Sequence, residues 1–362
     1  MIKILEINTV AFHINGMSNV IMGLYENIHD ENMRFDFVVK DRIDPSYADI
    51  IKQNGDRIFV VEREMKTFPK YINRLSKIIK KGNYDIIHIH GNSSTMSLEL
   101  MAAKKSRTKA KLIVHAHTTS CDHPFLNKIF YPYLMHTADY KIACSRAAGE
   151  WLYGKNRYML LNNGIDEEKF RFSPETRQQH RKELGIDDKF VILHVGRYNP
   201  PKNHAFLIDI FEEISRREPD AVLRLLGDGF LLDDIKALVK KKHLENKVSF
   251  VAPTKTPEIE YNTADVFVLP SLFEGFGLVN VEAQCSGLPC VVSDTVPHDI
   301  AITDETDFIP LDAPLSVWAD AVLKYKGHEH SDKRSNVIKA GYSLVRNAKK
   351  LKKFYEKTTK QR

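Results

Sequence analysis

Glu274-Gly-Phe-Gly-Leu-Val-Asn-Val-Glu282 is the stretch whose reading decides the fold. An apolar run, Val266 to Leu269, precedes it and ends in Pro270-Ser271. A short helical pattern (Val279, Val281, Ala283) leads on to Gly287, Pro289 and a second apolar run. The order predicts strand, glycine turn, helix, strand. A helix start carries unpaired N–H groups and a partial positive charge, so it holds anions. Two carboxylates beside such an end are out of place until a ligand is added. A diphosphate would take the helix end and sugar hydroxyls the carboxylates; a nucleotide-sugar has both parts.

Outward from this stretch the same rhythm fills nearly the whole chain. The first half gives apolar runs at 2–10, 35–39, 57–61, 85–90, 111–117, 140–144 and 158–161, and the second half at 190–195, 221–226, 247–251, 266–269, 289–293 and 307–311. Continuous Val/Ile/Leu runs separated by amphipathic helices are strands buried on both faces, hence parallel sheets with right-handed crossovers. There are too many for one domain. The polar stretch Asp166 to Lys189 interrupts the rhythm, and the hinge is placed there. The expectation is an α/β chain of two doubly wound Rossmann-like domains, residues 1–168 and 169–338, facing each other across a cleft. In such sheets ligands bind beyond the carboxyl ends of the strands. Residues 339–362 form a basic tail with Glu356 as its only acid. The apolar stripe Leu344, Leu351, Phe354 and Tyr355 predicts a helix there, one that crosses back to the N-terminal domain.

Composition narrows the class. The chain has 362 residues, 43% hydrophobic and 28% charged, as a globular protein does and a disordered one does not. The opening Met1-Ile-Lys-Ile-Leu-Glu-Ile-Asn8 is broken by Glu6 and Asn8 and reads as a first strand, not a signal peptide. Cys121, Cys144, Cys285 and Cys290 show no C-x-x-C spacing and read as reduced thiols in a cytoplasmic protein. A net charge of +6 suits an anionic partner without naming it.

The second domain's first strand ends in Gly196-Arg197, followed by Tyr-Asn-Pro-Pro-Lys202-Asn203-His204. Glycine at a strand end lets backbone approach a ligand. Arg197 offers a rigid fork for phosphate oxygens and Lys202 a movable point charge. A helix over Ala205–Arg216 follows, with Asn203 as its cap. Alone, the segment reads equally as a solvated basic loop. Glu282 alone would likewise be an ordinary helix-surface glutamate, although Val281 and Ala283 beside it indicate a packed helix.

With both segments in hand, Gly-Arg…Lys-Asn followed by Pro-Ser-x-x-Glu-Gly-Phe-Gly-x-x-x-x-Glu-Ala resembles the retaining family-4 glycosyltransferases of the GT-B fold. Asn163-Gly164-Ile165-Asp166 before the second domain is also typical of them. The resemblance covers nearly the whole chain and is strongest to the branch that builds bacterial capsular polysaccharides and exopolysaccharides. It implies that Arg197 and Lys202 bind the donor diphosphate and stabilise the leaving nucleoside diphosphate. It places Glu274 on sugar hydroxyls near the reacting carbon, the amides of Gly275, Phe276, Gly277 and Leu278 on phosphate and sugar oxygens with Gly196 close by, and Glu282 on the ribose. The implied reaction moves a hexose or N-acetylhexosamine from a nucleotide-sugar, UDP-linked by preference, to a polyprenyl-diphosphate-linked saccharide. No Asp-x-Asp occurs, so Arg, Lys and the helix end would replace a divalent metal; no metal and no cofactor are expected.

The first domain is less explicit. After the opening strand comes His13-Ile-Asn-Gly16-Met-Ser18 and a helical run. Relatives usually carry Gly-Gly and then an acid here. Gly16 would bring backbone to the donor phosphate or to the acceptor; the plain alternative is a turn with Ser18 as helix cap. Two strands end in His-x-His, His88-Ile-His90 and His115-Ala-His117, each pair on one side of its strand. Four imidazoles suit zinc, but no cysteine or carboxylate stands beside them in sequence. His117, before Thr118-Thr119-Ser120, fits the place where relatives set a histidine by the transferred sugar; a structural histidine is the alternative. The helix predicted over 67–81 has Phe68, Tyr71, Ile72, Leu75, Ile78 and Ile79 on one face and Lys70, Arg74, Lys77, Lys80 and Lys81 around the rest. Its basic face would meet anionic lipid at the inner face of the cell membrane.

Two rival functions are a nucleotide-sugar epimerase on the same two-domain fold, against which the Glu274–Glu282 segment argues, and a non-catalytic donor-binding subunit, to which the altered Asn15-Gly16-Met17-Ser18 loop would point. Nucleic acid is disfavoured because the basic residues lack interleaved aromatics. A nicotinamide dehydrogenase is disfavoured because no G-x-G-x-x-G follows the first strand.

Overall fold

The structure, a computed structural model, describes residues 1–13, 16–63 and 67–360. Asn15 therefore lies outside the described residues. Two compact units divide the chain: Met1–Gly164 with Leu344–Arg362, and Ile165–Ser343.

In the first unit the strands and helices alternate as β1 (Ile2–Asn8), α1 (Gly16–Ile28), β2 (Met33–Val39), α2 (Pro45–Gln53), β3 (Arg57–Val60), α3 (Phe68–Gly82), β4 (Ile86–Gly91), α4 (Ser97–Ser106), β5 (Lys111–Ala116), α5 (Pro124–Thr137), β6 (Tyr140–Ala143), α6 (Arg146–Tyr153) and β7 (Met159–Leu160). The sheet order is β3-β2-β1-β4-β5-β6-β7, every pairing parallel. Strand order reverses between β1 and β4, the switch point at which doubly wound sheets open a crevice. Ile4, Leu5, Ile7, Ile86, Ile87 and Ile89 are buried, as central parallel strands require.

The second unit follows with α7 (Pro174–Leu184), β8 (Phe190–Val195), α8 (His204–Arg217), β9 (Ala221–Leu226), α9 (Leu232–Lys241), β10 (Val248–Val251), α10 (Pro257–Thr263), β11 (Val266–Leu269), α11 (Leu278–Cys285), β12 (Cys290–Ser293), β13 (Thr306–Ile309), α12 (Leu315–Leu323) and α13 (Arg334–Ala340). Its parallel sheet runs β10-β9-β8-β11-β12-β13, with the switch point between β8 and β11.

The polar stretch 166–189 carries a helix of its own. Ser173 Oγ accepts from the Thr176 N–H at 3.1 Å, Pro174 opens α7, and Glu175 and Arg181-Lys182 complement its dipole. Arg181 is buried and donates to Asp265 at 3.2 Å and to the Thr263 carbonyl at 2.9 Å. This stretch is thus a packed part of the second unit, and the change of unit falls just before it, at Gly164/Ile165.

The tail forms α14 (Leu344–Lys360), which belongs to the first unit and packs on α1. Its buried stripe is Ala348, Leu351, Tyr355 and Thr358. Phe354 meets Tyr140 edge-on at 5.1 Å, and Lys350 Nζ donates to the Leu160 carbonyl at 2.6 Å. Residues 339–343, assigned to the tail from sequence, stay with the second unit, where the Ile165 N–H donates to the Tyr342 carbonyl at 2.8 Å. Among the described residues no helix is long and apolar enough to cross a membrane.

Candidate functional site

Both motifs of the second unit emerge at the carboxyl edge of its sheet, from the two strands that flank the switch point. After β8 the chain runs Gly196-Arg197 into a short 3-10 turn, Pro200–Lys202, then α8. After β11 it runs Pro270 to Gly277, then α11. Two hydrogen bonds clip the loops together: the Leu272 N–H donates to the Pro201 carbonyl at 2.7 Å, and the Asn203 side-chain Nδ2 to the Pro270 carbonyl at 3.1 Å. Asn203 is accordingly not a side-chain cap of α8. It adopts a left-handed backbone, φ 57°, and spends its amide on the neighbouring loop.

Lys202 Nζ lies 2.6 Å from Glu274 Oε1, and Ser271 Oγ donates to the same oxygen at 2.7 Å. Their side chains are only 16% and 10% exposed, so this pair is much less screened than a surface ion pair. Arg197 is exposed and its guanidinium makes no hydrogen bond or ion pair among the described residues. Gly196 leaves room for the Lys202 stem: a Cβ there would sit 3.0 Å from the lysine Cδ and 3.0 Å from His194 Nε2.

Gly277 enters α11 at φ 82°, in the left-handed region that favours glycine. The amides of Gly275, Phe276, Gly277 and Leu278 find no acceptor among the described residues. The Phe276 and Leu278 side chains turn inward onto the core, Phe276 against Tyr342 at 5.1 Å. Their contribution to a ligand would therefore come from their backbones. Glu282, one turn on, is half-buried and accepts from the Tyr261 hydroxyl at 2.7 Å. Burial pushes its carboxyl above the ordinary range, against the pull of that hydrogen bond and of the Lys169 and Lys202 charges. Lys202 thus acts electrostatically on both glutamates.

A third loop completes the edge, and sequence reading passed over it although Gly227-Asp228-Gly229 directly follows β9. The Tyr198 N–H donates to the Asp228 carbonyl at 2.6 Å. A Cβ on Gly227 would fall 2.0 Å from the Gly196 carbonyl oxygen. Tyr198, fully buried and stacked on His204 at 4.3 Å, anchors the Arg197 loop from below.

In the first unit α1 begins at Gly16, so Ser18 sits inside the first turn and does not precede the helix as a cap. Gly16 is exposed, and among the described residues nothing beyond its chain neighbours and its own helix backbone comes within 4 Å of a Cβ built on it. The four histidines form one cluster, with tilted rings 4.1 Å apart by centroid for His88–His90 and for His115–His117 and stacked rings 5.3 Å apart for His88–His115. Sequence neighbours offered these rings no carboxylate, but the β1–β4 register sets Glu6 opposite His88. His90 Nε2 lies 2.7 Å from Glu6 Oε2, and His90 Nδ1 lies 2.9 Å from His117 Nε2. The Tyr355 hydroxyl, from α14, is 3.1 Å from Glu6 Oε1 and 2.6 Å from His88 Nδ1. Donor atoms of His88, His90 and His115 come within 4.8 Å of one another. However, both His90 nitrogens are already engaged, and the His88 and His115 planes lie parallel, 4° apart, instead of converging on one point.

Two parallel-sheet α/β domains of this construction define the GT-B class of fold. Solved structures share it: Anabaena Alr3699/HepE in complex with UDP has a TM-score of 0.79 at 18% identity, covering 98% of this chain and 100% of that one. A glycosyltransferase from Rickettsia africae ESF-5 has a TM-score of 0.81 at 16% identity, covering 100% and 99%. Residues 14–169 match the family described as Glycosyltransferase Family 4, and residues 176–342 match Glycosyl transferases group 1. A Bacillus subtilis (strain 168) protein named "Putative glycosyltransferase EpsF" is 30% identical, over 96% of this chain and 94% of its own. An Escherichia coli UDP-Gal:alpha-D-GlcNAc-diphosphoundecaprenol alpha-1,3-galactosyltransferase is 26% identical, over 98% and 96%. The chain belongs to this glycosyltransferase family and is a glycosyl-transferring enzyme.

Glu282 allows a test of site against stability. A carboxyl whose folded pKa is raised contributes stability that is present below its unfolded pKa and lost as pH rises through the folded one. Once ionised, Glu282 is therefore a cost to the unliganded fold. Glu282→Gln keeps an acceptor for Tyr261 and removes the charge. The unliganded variant is expected to melt no lower than the wild type at neutral pH, while UDP binding weakens about tenfold for one lost hydrogen bond to a charged group. Scanning calorimetry with and without UDP checks both halves; a lower Tm or an unchanged UDP affinity would refute the assignment.

Proposed function

We propose that this glycosyltransferase moves a hexose or N-acetylhexosamine, with retention and without a metal, from a nucleotide-sugar to a polyprenyl-diphosphate-linked saccharide in bacterial capsule or exopolysaccharide assembly. The observation that carries the reading is the Lys202–Glu274 pair at the β8/β11 switch point, beside the open amides before α11. Arg197, Lys202 and those amides would hold the diphosphate, Glu274 the transferred sugar and Glu282 the ribose. Breaking the anomeric C–O bond puts charge on the departing diphosphate. Fixed cations stabilise that charge more than the ground state, which is the condition for a faster chemical step. The acceptor hydroxyl would bond to the anomeric carbon on the face the diphosphate leaves, its proton passing to the departing diphosphate oxygen as the old C–O bond breaks, so no protein nucleophile is required. His117 would orient the sugar from the first unit.

UDP is favoured as the carrier because the Escherichia coli relative is named for a UDP-galactose donor and an undecaprenyl-diphosphate acceptor. The test is a panel of UDP- and GDP-sugars with a diphosphoundecaprenol-linked saccharide. Acceptor-dependent release of UDP that persists in EDTA is expected. Sugar isomerisation without acceptor, or donor binding that never turns over until a second protein is added, would overturn it.

A lipid-linked acceptor would place the enzyme at the inner face of the cell membrane. Lys70, Arg74, Lys77 and Lys81 lie exposed at helical spacing along α3, while Tyr71, Leu75 and Ile79 bury its other face. Each cation near an anionic surface contributes about 1 kcal/mol. Co-sedimentation with phosphatidylglycerol vesicles is expected and should fade at high salt or on charge reversal of Arg74 and Lys77; equal binding to neutral vesicles would contradict it.

A further inference from the structure

We propose that Glu6 and His90 are positioning residues that hold the His117 imidazole neutral, with its proton on Nε2 and its bare Nδ1 kept as a hydrogen-bond acceptor for a hydroxyl of the transferred sugar. The last step rests on the role proposed above for His117; the rest stands on the geometry of the first unit alone. An ionised carboxylate only accepts hydrogen bonds. Burial pushes the Glu6 carboxyl up, but the His88 and His90 imidazoles outweigh it and hold it well below the usual range, so Glu6 is ionised. His90, 2.7 Å from Glu6 Oε2, must then carry its proton on Nε2. Burial first, and then the neighbouring His88 imidazole, hold His90 down to about 4 against the pull of Glu6, so the ring is neutral and its Nδ1 is bare.

That bare Nδ1 lies 2.9 Å from His117 Nε2. Two bare nitrogens would repel at that distance, so His117 is the donor and its proton sits on Nε2. His117 is also pushed well below the ordinary imidazole range, by burial first, and is neutral. Its Nδ1 therefore carries a lone pair. That atom is buried and has no partner among the described residues, whereas buried polar atoms as a rule have one. A ligand hydroxyl would supply it.

The Glu6 end is fixed in turn. The Tyr355 hydroxyl reaches its Oε1 at 3.1 Å, and Tyr355 is itself fully buried. The C-terminal helix α14 thereby closes the polar chain at the end opposite His117. The register that creates the chain is plain in the sheet: Glu6 is opposite His88, and His90 is opposite His115.

The experiment is nitrogen-15 NMR of histidine-labelled full-length protein, with the His117 ring assigned from His117→Gln. At about pH 7, where an unperturbed imidazole would be partly charged, the ring should be neutral with Nε2 protonated and Nδ1 bare. His90→Gln can still donate to Glu6 and accept from His117, and should keep that tautomer. His90→Leu cannot, and should give a mixture of tautomers together with a loss of about tenfold or more in kcat, as for a site group left unpaired. The UDP Kd should not move. A wild-type His117 that is charged, or protonated on Nδ1, overturns the proposal, as does a His90→Leu protein whose His117 ring is unchanged. If His90→Leu does not fold, the wild-type and His90→Gln spectra decide. The predicted tautomer in a protein that turns over no nucleotide-sugar would instead refute the transferase site and leave the Glu6–His90–His117 chain standing.

Discussion

Lys202→Ala is expected to lower the turnover number of sugar transfer about 10²- to 10³-fold, the usual cost of losing one preorganised group that faces developing charge. The lysine lies 2.6 Å from Glu274 and is held at the end of a loop stiffened by Pro200 and Pro201. Two effects separate on inspection. Truncation leaves the Glu274 carboxylate with only the Ser271 hydroxyl, which should destabilise the second unit by about 1–3 kcal/mol. It also removes a cation that acts on both glutamates, and in the proposed role that loss should fall on kcat, because the charge the lysine would meet grows in the transition state. The double variant Lys202→Ala/Glu274→Gln should recover most of the stability and none of the turnover, since the destabilisation comes from an unpaired charge and the catalytic loss does not. Urea unfolding and steady-state kinetics on the three proteins check this. A Lys202→Ala enzyme with wild-type kcat would remove the lysine from the chemistry.

Gly227→Ala is expected to weaken UDP binding by tenfold or more with the sheet intact. The added Cβ would stand 2.0 Å from the Gly196 carbonyl oxygen, a backbone atom that cannot swing aside as a side chain would. The Gly196-Arg197 turn must move, at about 1–3 kcal/mol for an overpacked site. Gly275→Ala is the control for fold: no protein atom lies within 4 Å of a Cβ there, so its Tm should match wild type. Any loss of UDP affinity in Gly275→Ala then reports a ligand that approaches the backbone. Titration calorimetry measures both. Unchanged UDP affinity in Gly227→Ala would show that the Gly196 turn is not part of the nucleotide seat.

What sequence discloses here follows from where each constraint acts. The strands were legible because parallel strands buried on both faces show as unbroken apolar runs; Val266 to Leu269 appears as β11 with the same limits. The Glu274–Glu282 segment was legible because glycine, proline and carboxylate at fixed spacing record local backbone demands. Side-chain partners set by tertiary register were not. Nothing near His88 or His90 in sequence announces Glu6, which arrives through the β1–β4 pairing, or Tyr355, which arrives on the C-terminal helix. Asn203 read as a cap by its type, but its left-handed backbone and its bond to Pro270 depend on a loop some 67 residues on. The helix over 174–184 carries a full set of end signals, and the polar composition around it drew attention away from them.

The account rests on a pyrophosphate seat between β8 and β11, and comparing UDP with uridine by titration calorimetry on wild type and Lys202→Ala tests it most directly. UDP should bind the wild type about a hundredfold or more tighter than uridine, and Lys202→Ala should lose most of that difference, since charge-assisted contacts each contribute about 1.5–3 kcal/mol. Equal affinities for UDP and uridine, or a UDP affinity indifferent to Lys202, would contradict it.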